Sequence, residues 1–77
     1  MAIYPNIRNL REDSDLKQQQ LADLLHTSRT SYCAHENGVS EFLPEQLIQL
    51  AEFYQTSVDY LLGLTDVRKP YPRKKQR

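Results

Sequence analysis

Between Gln18 and Gly38 the chain reads QQQLADLLHTSRTSYCAHENG, and the spacing of this segment leaves it few ways to fold. Leu21, Ala22 and Leu25 recur at one, three and four residues, with Leu24 beside them, as on a helix with one buried face. Ala22 is small enough to let a second helix approach closely. A four-residue polar hinge follows, with Ser28 as a natural N-cap. Asn37-Gly38 is a natural stop, because glycine takes the left-handed conformation without penalty. The segment predicts one helix over 18–25 and a second over 28–37.

The second of these helices carries Ser28, Arg29, Thr30, Ser31 and Asn37 at positions that need not face a core. At 100° per residue, Arg29, Thr30, Cys33, Ala34 and Asn37 share one face, and Tyr32 and His35 share the other. Two short helices around a polar hinge, the second with a polar outer face, is the layout of a helix-turn-helix, which places a helix in a DNA major groove.

The flanks extend the helical reading. Pro5 suits the first turn of a helix, and Ile3, Ile7 and Leu10 give that helix an apolar side as far as about Asp13. Ser14 and Asp15 make a turn from which Leu16 reaches the core. A loop over Val39–Leu43 leads to Pro44 at the start of a fourth helix, whose apolar face reads Leu47, Ile48, Leu50, Ala51 and Tyr54. A short fifth helix runs from Ser57 to Leu62, capped by Ser57 or Thr56, with Val58, Leu61 and Leu62 inward and Gly63 as its stop. No segment alternates at the period of a strand, so the fold class is all-α. The domain spans 1–66, and residues 67–77 form a basic, proline-containing tail expected to be disordered or extended.

Seventy-seven residues make one small domain of marginal stability. A single cysteine excludes an internal disulfide. His26 and His35 are nine residues apart with no further ligands at metal spacing, so no metal or other cofactor is expected. No run approaches the roughly 18 apolar residues of a membrane span. The first five residues lack the charged and apolar regions of a signal peptide, and a free thiol fits the cytoplasm. Nothing resembles a nucleophile–base pair, a carboxylate dyad or a phosphate loop, and the chain is too small for a pocket of ordinary size, which speaks against an enzyme. Charge is divided sharply. Residues 1–65 hold four basic residues against nine acidic ones, whereas residues 66–77 hold Arg68, Lys69, Arg73, Lys74, Lys75 and Arg77 against Asp66, a net +5. A body of net −5 attracts phosphate weakly.

The run Leu16–Leu25, the hinge, Glu36-Asn37-Gly38 and LPEQLIQLAEFYQTSVDYLLG together resemble the Cro/C1-type, xenobiotic-response-element-like helix-turn-helix regulators of bacteria and phages. The resemblance covers residues 3–66 and implies a five-helix, lambda-repressor-like DNA-binding domain. It implies phosphate contacts from Gln18, at the start of the second helix, with Lys17 in front of it, and from Ser28, Ser31 and Asn37. It implies base reading by Arg29 and Thr30, with Cys33 and Ala34 on the same face; Ala34 can touch a thymine methyl. Tyr32 and His35 fall where relatives pack inward, and Arg11 and Glu36 fall where relatives place an internal ion pair.

The chain departs from that pattern at five positions. Lys17 stands where Thr or Ser caps, which costs roughly 1 kcal/mol. Ala34 and Cys33 stand where relatives carry Arg and Ser. His26 stands where Gly or Asn takes a positive φ, and His35 replaces Tyr or Ile. The resulting expectation is a sequence-specific repressor that binds double-stranded DNA at a palindromic operator, as a weak or DNA-induced homodimer meeting near Tyr60 and Leu64, with no small-molecule ligand. The alternative is a protein-interaction module, of antirepressor or antitoxin type, that keeps the fold and has weak DNA affinity. The −5 body and Ala34 favour that alternative, whereas Gln18, Arg29, Thr30 and the basic tail favour the repressor.

Overall fold

The computed structural model describes residues 4–70 and places five helices in order: α1 Pro5–Asp13, α2 Gln18–Leu24, α3 Arg29–Glu36, α4 Pro44–Tyr54 and α5 Val58–Leu62. Among the described residues there is no strand, and no helix is long and apolar enough to cross a membrane. α2 packs on α3, while α5 packs on both α1 and α4. Ile3, Arg73, Lys74, Lys75 and Arg77 lie outside the described residues.

All five helices stop by one device. The N–H groups of Leu16, Thr27, Val39, Thr56 and Leu64 reach back to the carbonyls of Arg11, Ala22, Ala34, Ala51 and Asp59 at 2.8–3.0 Å. The residue before each of these donors turns to positive φ: Asp15 at 59°, His26 at 56°, Gly38 at 80°, Gln55 at 59° and Gly63 at 79°. The N–H of each of these positive-φ residues donates to the carbonyl three residues back at 3.0–3.2 Å, so each closure satisfies two carbonyls that a helix end leaves open. The chain has two glycines, so three of the five closures use side-chain-bearing residues. His26 therefore does hold the left-handed conformation expected of it.

The helix starts use two devices besides proline. Ser28 Oγ and Ser57 Oγ accept from the N–H groups of Ser31 and Tyr60 at 3.1 and 3.0 Å. At Lys17 and Leu43, whose side chains cannot accept, a glutamine three residues on does the work. Gln20 Oε1 accepts from the Lys17 N–H and Gln46 Oε1 from the Leu43 N–H, both at 2.8 Å. This is the return half of a capping box, and it offsets part of the cost expected at Lys17.

The core gathers Ile7, Leu10, Leu21, Ala22, Leu25, Tyr32, Phe42, Leu50, Ala51, Tyr54 and Leu61. Leu16 packs against it from the turn after α1. Two expectations are corrected, and of the two candidate caps of α5 Ser57 is the one used. Ile48 is 51 % exposed, because it sits 100° around α4 from Leu47 on the stripe of Glu45 and Glu52, and Gln46 is buried instead. Leu62 is only half-buried, and Leu61 is the core residue of α5. Thr56 does not cap α5; its buried hydroxyl donates to the Arg68 carbonyl at 2.6 Å, which fastens the chain beyond residue 66 to the α4–α5 junction.

Candidate nucleic-acid interface

The site is organised around Glu36, near the end of α3, whose side chain is fully buried. Arg11 reaches it from α1 with two bonds, Nε to Oε2 at 2.8 Å and Nη2 to Oε1 at 3.0 Å. The Tyr32 hydroxyl donates to Oε2 at 2.8 Å, and Gln18 Nε2 donates to Oε1 at 3.2 Å from the start of α2. Burial alone opposes ionisation of Glu36, but the bonds from Arg11, Tyr32 and Gln18 outweigh it and hold the carboxyl below the usual range. The bond to Glu36 keeps Arg11 firmly protonated. Burial, then the bond to Glu36, pushes the Tyr32 hydroxyl far up. Arg11 Nη1 also donates to the Leu16 carbonyl at 2.9 Å, so one guanidinium ties α1, the α1–α2 turn and α3 together.

The outer face of α3 follows from that anchor. Tyr32 is fully buried and meets Phe42 edge-on, with ring centroids 6.0 Å apart. His35 lies half-buried over Phe42 at 5.0 Å, its Nδ1 3.4 Å from the Ser40 carbonyl oxygen, which gives the replaced aromatic position a polar partner. With these residues inward, Arg29, Thr30 and Asn37 are exposed, and Ser31, Cys33 and Ala34 are half-buried. Ser28 is exposed, but its Oγ caps α3. Lys17 is exposed at the start of α2, and Gln18 is half-buried beside Glu36.

Arg8 is the residue that sequence reasoning missed. It stands one turn before Arg11, and its Nη2 donates to Asn37 Oδ1 at 2.6 Å. Its Nε lies 3.5 Å from Glu36 Oε1. Asn37 Nδ2 in turn donates to Cys33 Sγ at 3.3 Å. The signal was present in the spacing: Arg8 and Arg11, at i and i+3, lie beside the buried pair Ile7 and Leu10. Phe42 was likewise missed as core because it sits in a loop, where no helical period marks it.

The chain's residues 4–67 match the helix-turn-helix domain family. The HTH-type transcriptional regulator YobD of Bacillus subtilis is 36% identical over 69 residues, covering 90% of this chain and 62% of that protein. The competence pilus inhibition repressor of Acinetobacter baylyi is 36% identical over 66 residues, covering 86% of this chain and 60% of that protein. The crystal structure of a transcriptional regulator from Listeria innocua superposes with a TM-score of 0.74 at 26% identity, over 95% of this chain and 62% of that one. The chain thus spans about half to three fifths of the length of the curated relatives it matches. These relatives are regulators rather than enzymes. Helix order, the two-helix unit at α2 and α3 and these likenesses place the chain in the Cro/C1-type, XRE-like family of helix-turn-helix transcriptional regulators.

Proposed function

We propose that the chain is a sequence-specific DNA-binding repressor that inserts α3 into the major groove of a palindromic operator in the cytoplasm. The observation that carries this reading is the burial of Glu36. It removes the one acidic residue of α3 from the surface, so the outer face presents Arg29, Thr30, Cys33, Ala34 and Asn37 without a negative charge. Arg29 at the first turn suits a bidentate pair with a guanine edge, and Thr30 beside it suits a base or a thymine methyl. Lys17, Gln18, Ser28, Ser31 and Asn37 serve the phosphates. One N–H of the Gln18 carboxamide is held by Glu36, which orients the group and leaves its second N–H for a phosphate oxygen. A homodimer through the exposed Leu64, beside Tyr60, would set two copies of α3 about 34 Å apart.

One observation favours the second reading, a protein-interaction module. Ala34 puts a methyl where a cation would help, on a body of net −5. Selection of bound fragments from a random DNA library separates the two. The repressor reading predicts a palindromic winner preferred at least about tenfold over random sequence, with a steep loss of affinity as salt rises. Absence of binding at low salt supports the protein-partner reading instead.

A further inference from the structure

We propose that Arg8 is a phosphate-binding residue that joins Gln18 and Asn37 in a grip on the DNA backbone built from three helices. The inference rests on the DNA-binding reading above and adds a cation to it. Glu36 carries one negative charge, and Arg11 already meets it with two short bonds. Arg8 stands at 3.5 Å from the same carboxylate, so the cluster holds one positive charge more than it needs. That surplus charge is on the surface: the Arg8 side chain is 47% exposed, while Glu36 is fully covered and Arg11 is 13% exposed. No ion pair joins Arg8 to Glu12, one turn further along α1, among the described residues.

Geometry places the charge where a phosphate would sit. Gln18 Nε2 and Arg8 Nε both lie within 3.5 Å of Glu36 Oε1, close enough to each other for one phosphate to touch both. The bond to Asn37 Oδ1 draws the Arg8 fork to the end of α3 and fixes its direction. A guanidinium has five N–H donors, and Asn37 takes one of them, so the fork can still accept an oxyanion. The same bond holds the Asn37 carboxamide, whose nitrogen is turned to Cys33. α1 thereby contributes directly to the interface as well as supporting it.

The test uses the full chain and the DNA fragment it selects, with affinity measured from about 50 to 200 mM salt. Arg8→Gln should make the slope of log affinity against log salt shallower by about 0.9, so that its affinity falls about 3-fold less over that range than the parent's. The base preference of the variant should be unchanged. Arg8→Lys should restore the parent slope, because it keeps the charge and gives up only the fork. An unchanged slope in a folded Arg8→Gln overturns the proposal and leaves Arg8 as a support for Asn37. If Arg8→Gln does not fold, Arg8→Met, which keeps the aliphatic stem and removes the charge, carries the same test: a slope shallower by about 0.9 supports the proposal and an unchanged slope overturns it. Failure of the parent to select any site overturns the DNA-binding reading and this inference together; selection with an unchanged Arg8→Gln slope overturns this inference alone.

Discussion

The carboxylate of Glu36 has Arg11, Tyr32 and Gln18 as donors and no contact with water, so its charge is worth stability only while it is ionised. Its folded pKa lies below the ordinary value of about 4.5. A group lowered on folding stabilises fully above its unfolded pKa and loses that contribution as pH falls through the folded one. Glu36→Gln should cost about 3 kcal/mol at pH 7, because Arg11 is left without its counter-charge. Thermal melts from pH 7 down to 3 should show the gap between parent and variant narrowing below about 4.5; a gap independent of pH contradicts this account of the ion pair. Tyr54 is the opposite case. Its hydroxyl is buried with no hydrogen-bond partner among the described residues, and burial pushes its pKa up to about 12. Tyr54→Phe should leave stability unchanged or raise it by up to about 1 kcal/mol, and a loss larger than that in a denaturant titration would reveal a partner for the hydroxyl.

At the scale of the element, helix type and order could be read from the sequence because apolar residues recur at helical period and proline, serine and glycine mark the ends. Ile48 and Phe42 show where that reading stops. A wide apolar run on α4 does not say which edge faces water, and a buried loop residue has no period at all. Helix ends are a second limit. Glycine announces the stops at Gly38 and Gly63, but Asp15 and Gln55 adopt the same left-handed conformation only because the surrounding carbonyl bonds require it. That conformation strains a residue with a Cβ. Gln55 is exposed, so Gln55→Gly should stabilise the domain by about 0.5–1 kcal/mol, a rise of roughly 2–8 °C in Tm for a domain this small. An unchanged or lower Tm would show that the glutamine side chain compensates for the strain. The site itself was half legible. The residues on the outer face of α3 follow from 100° steps, whereas Arg8 and the donation of Gln18 to Glu36 depend on how α1, α2 and α3 come together.

Across the whole molecule the charge is sorted by position. The body is acidic in sum, yet its four cations, Arg8, Arg11, Lys17 and Arg29, lie on or beside α2 and α3, and Glu36, the acid of α3, is internal. Glu12, Asp13, Asp15, Glu41, Glu45 and Glu52 are exposed outside α2 and α3, and Asp23, the acid exposed on α2, accepts a hydrogen bond from Gln19. A zero net charge therefore coexists with one face that suits a polyanion, and the proposed function assigns specificity to a few side chains on α3 rather than to bulk attraction. In that proposal Arg29 carries the largest share. It is exposed at the first turn of α3, so its removal should spare the fold. The deciding measurement is a comparison of the base preferences selected by the parent chain and by Arg29→Ala from one random DNA library. The account predicts that the variant melts like the parent and loses its preference at one G·C pair in each half-site, a discrimination of about 1–3 kcal/mol. An unchanged preference profile in Arg29→Ala would contradict the claim that α3 reads the bases.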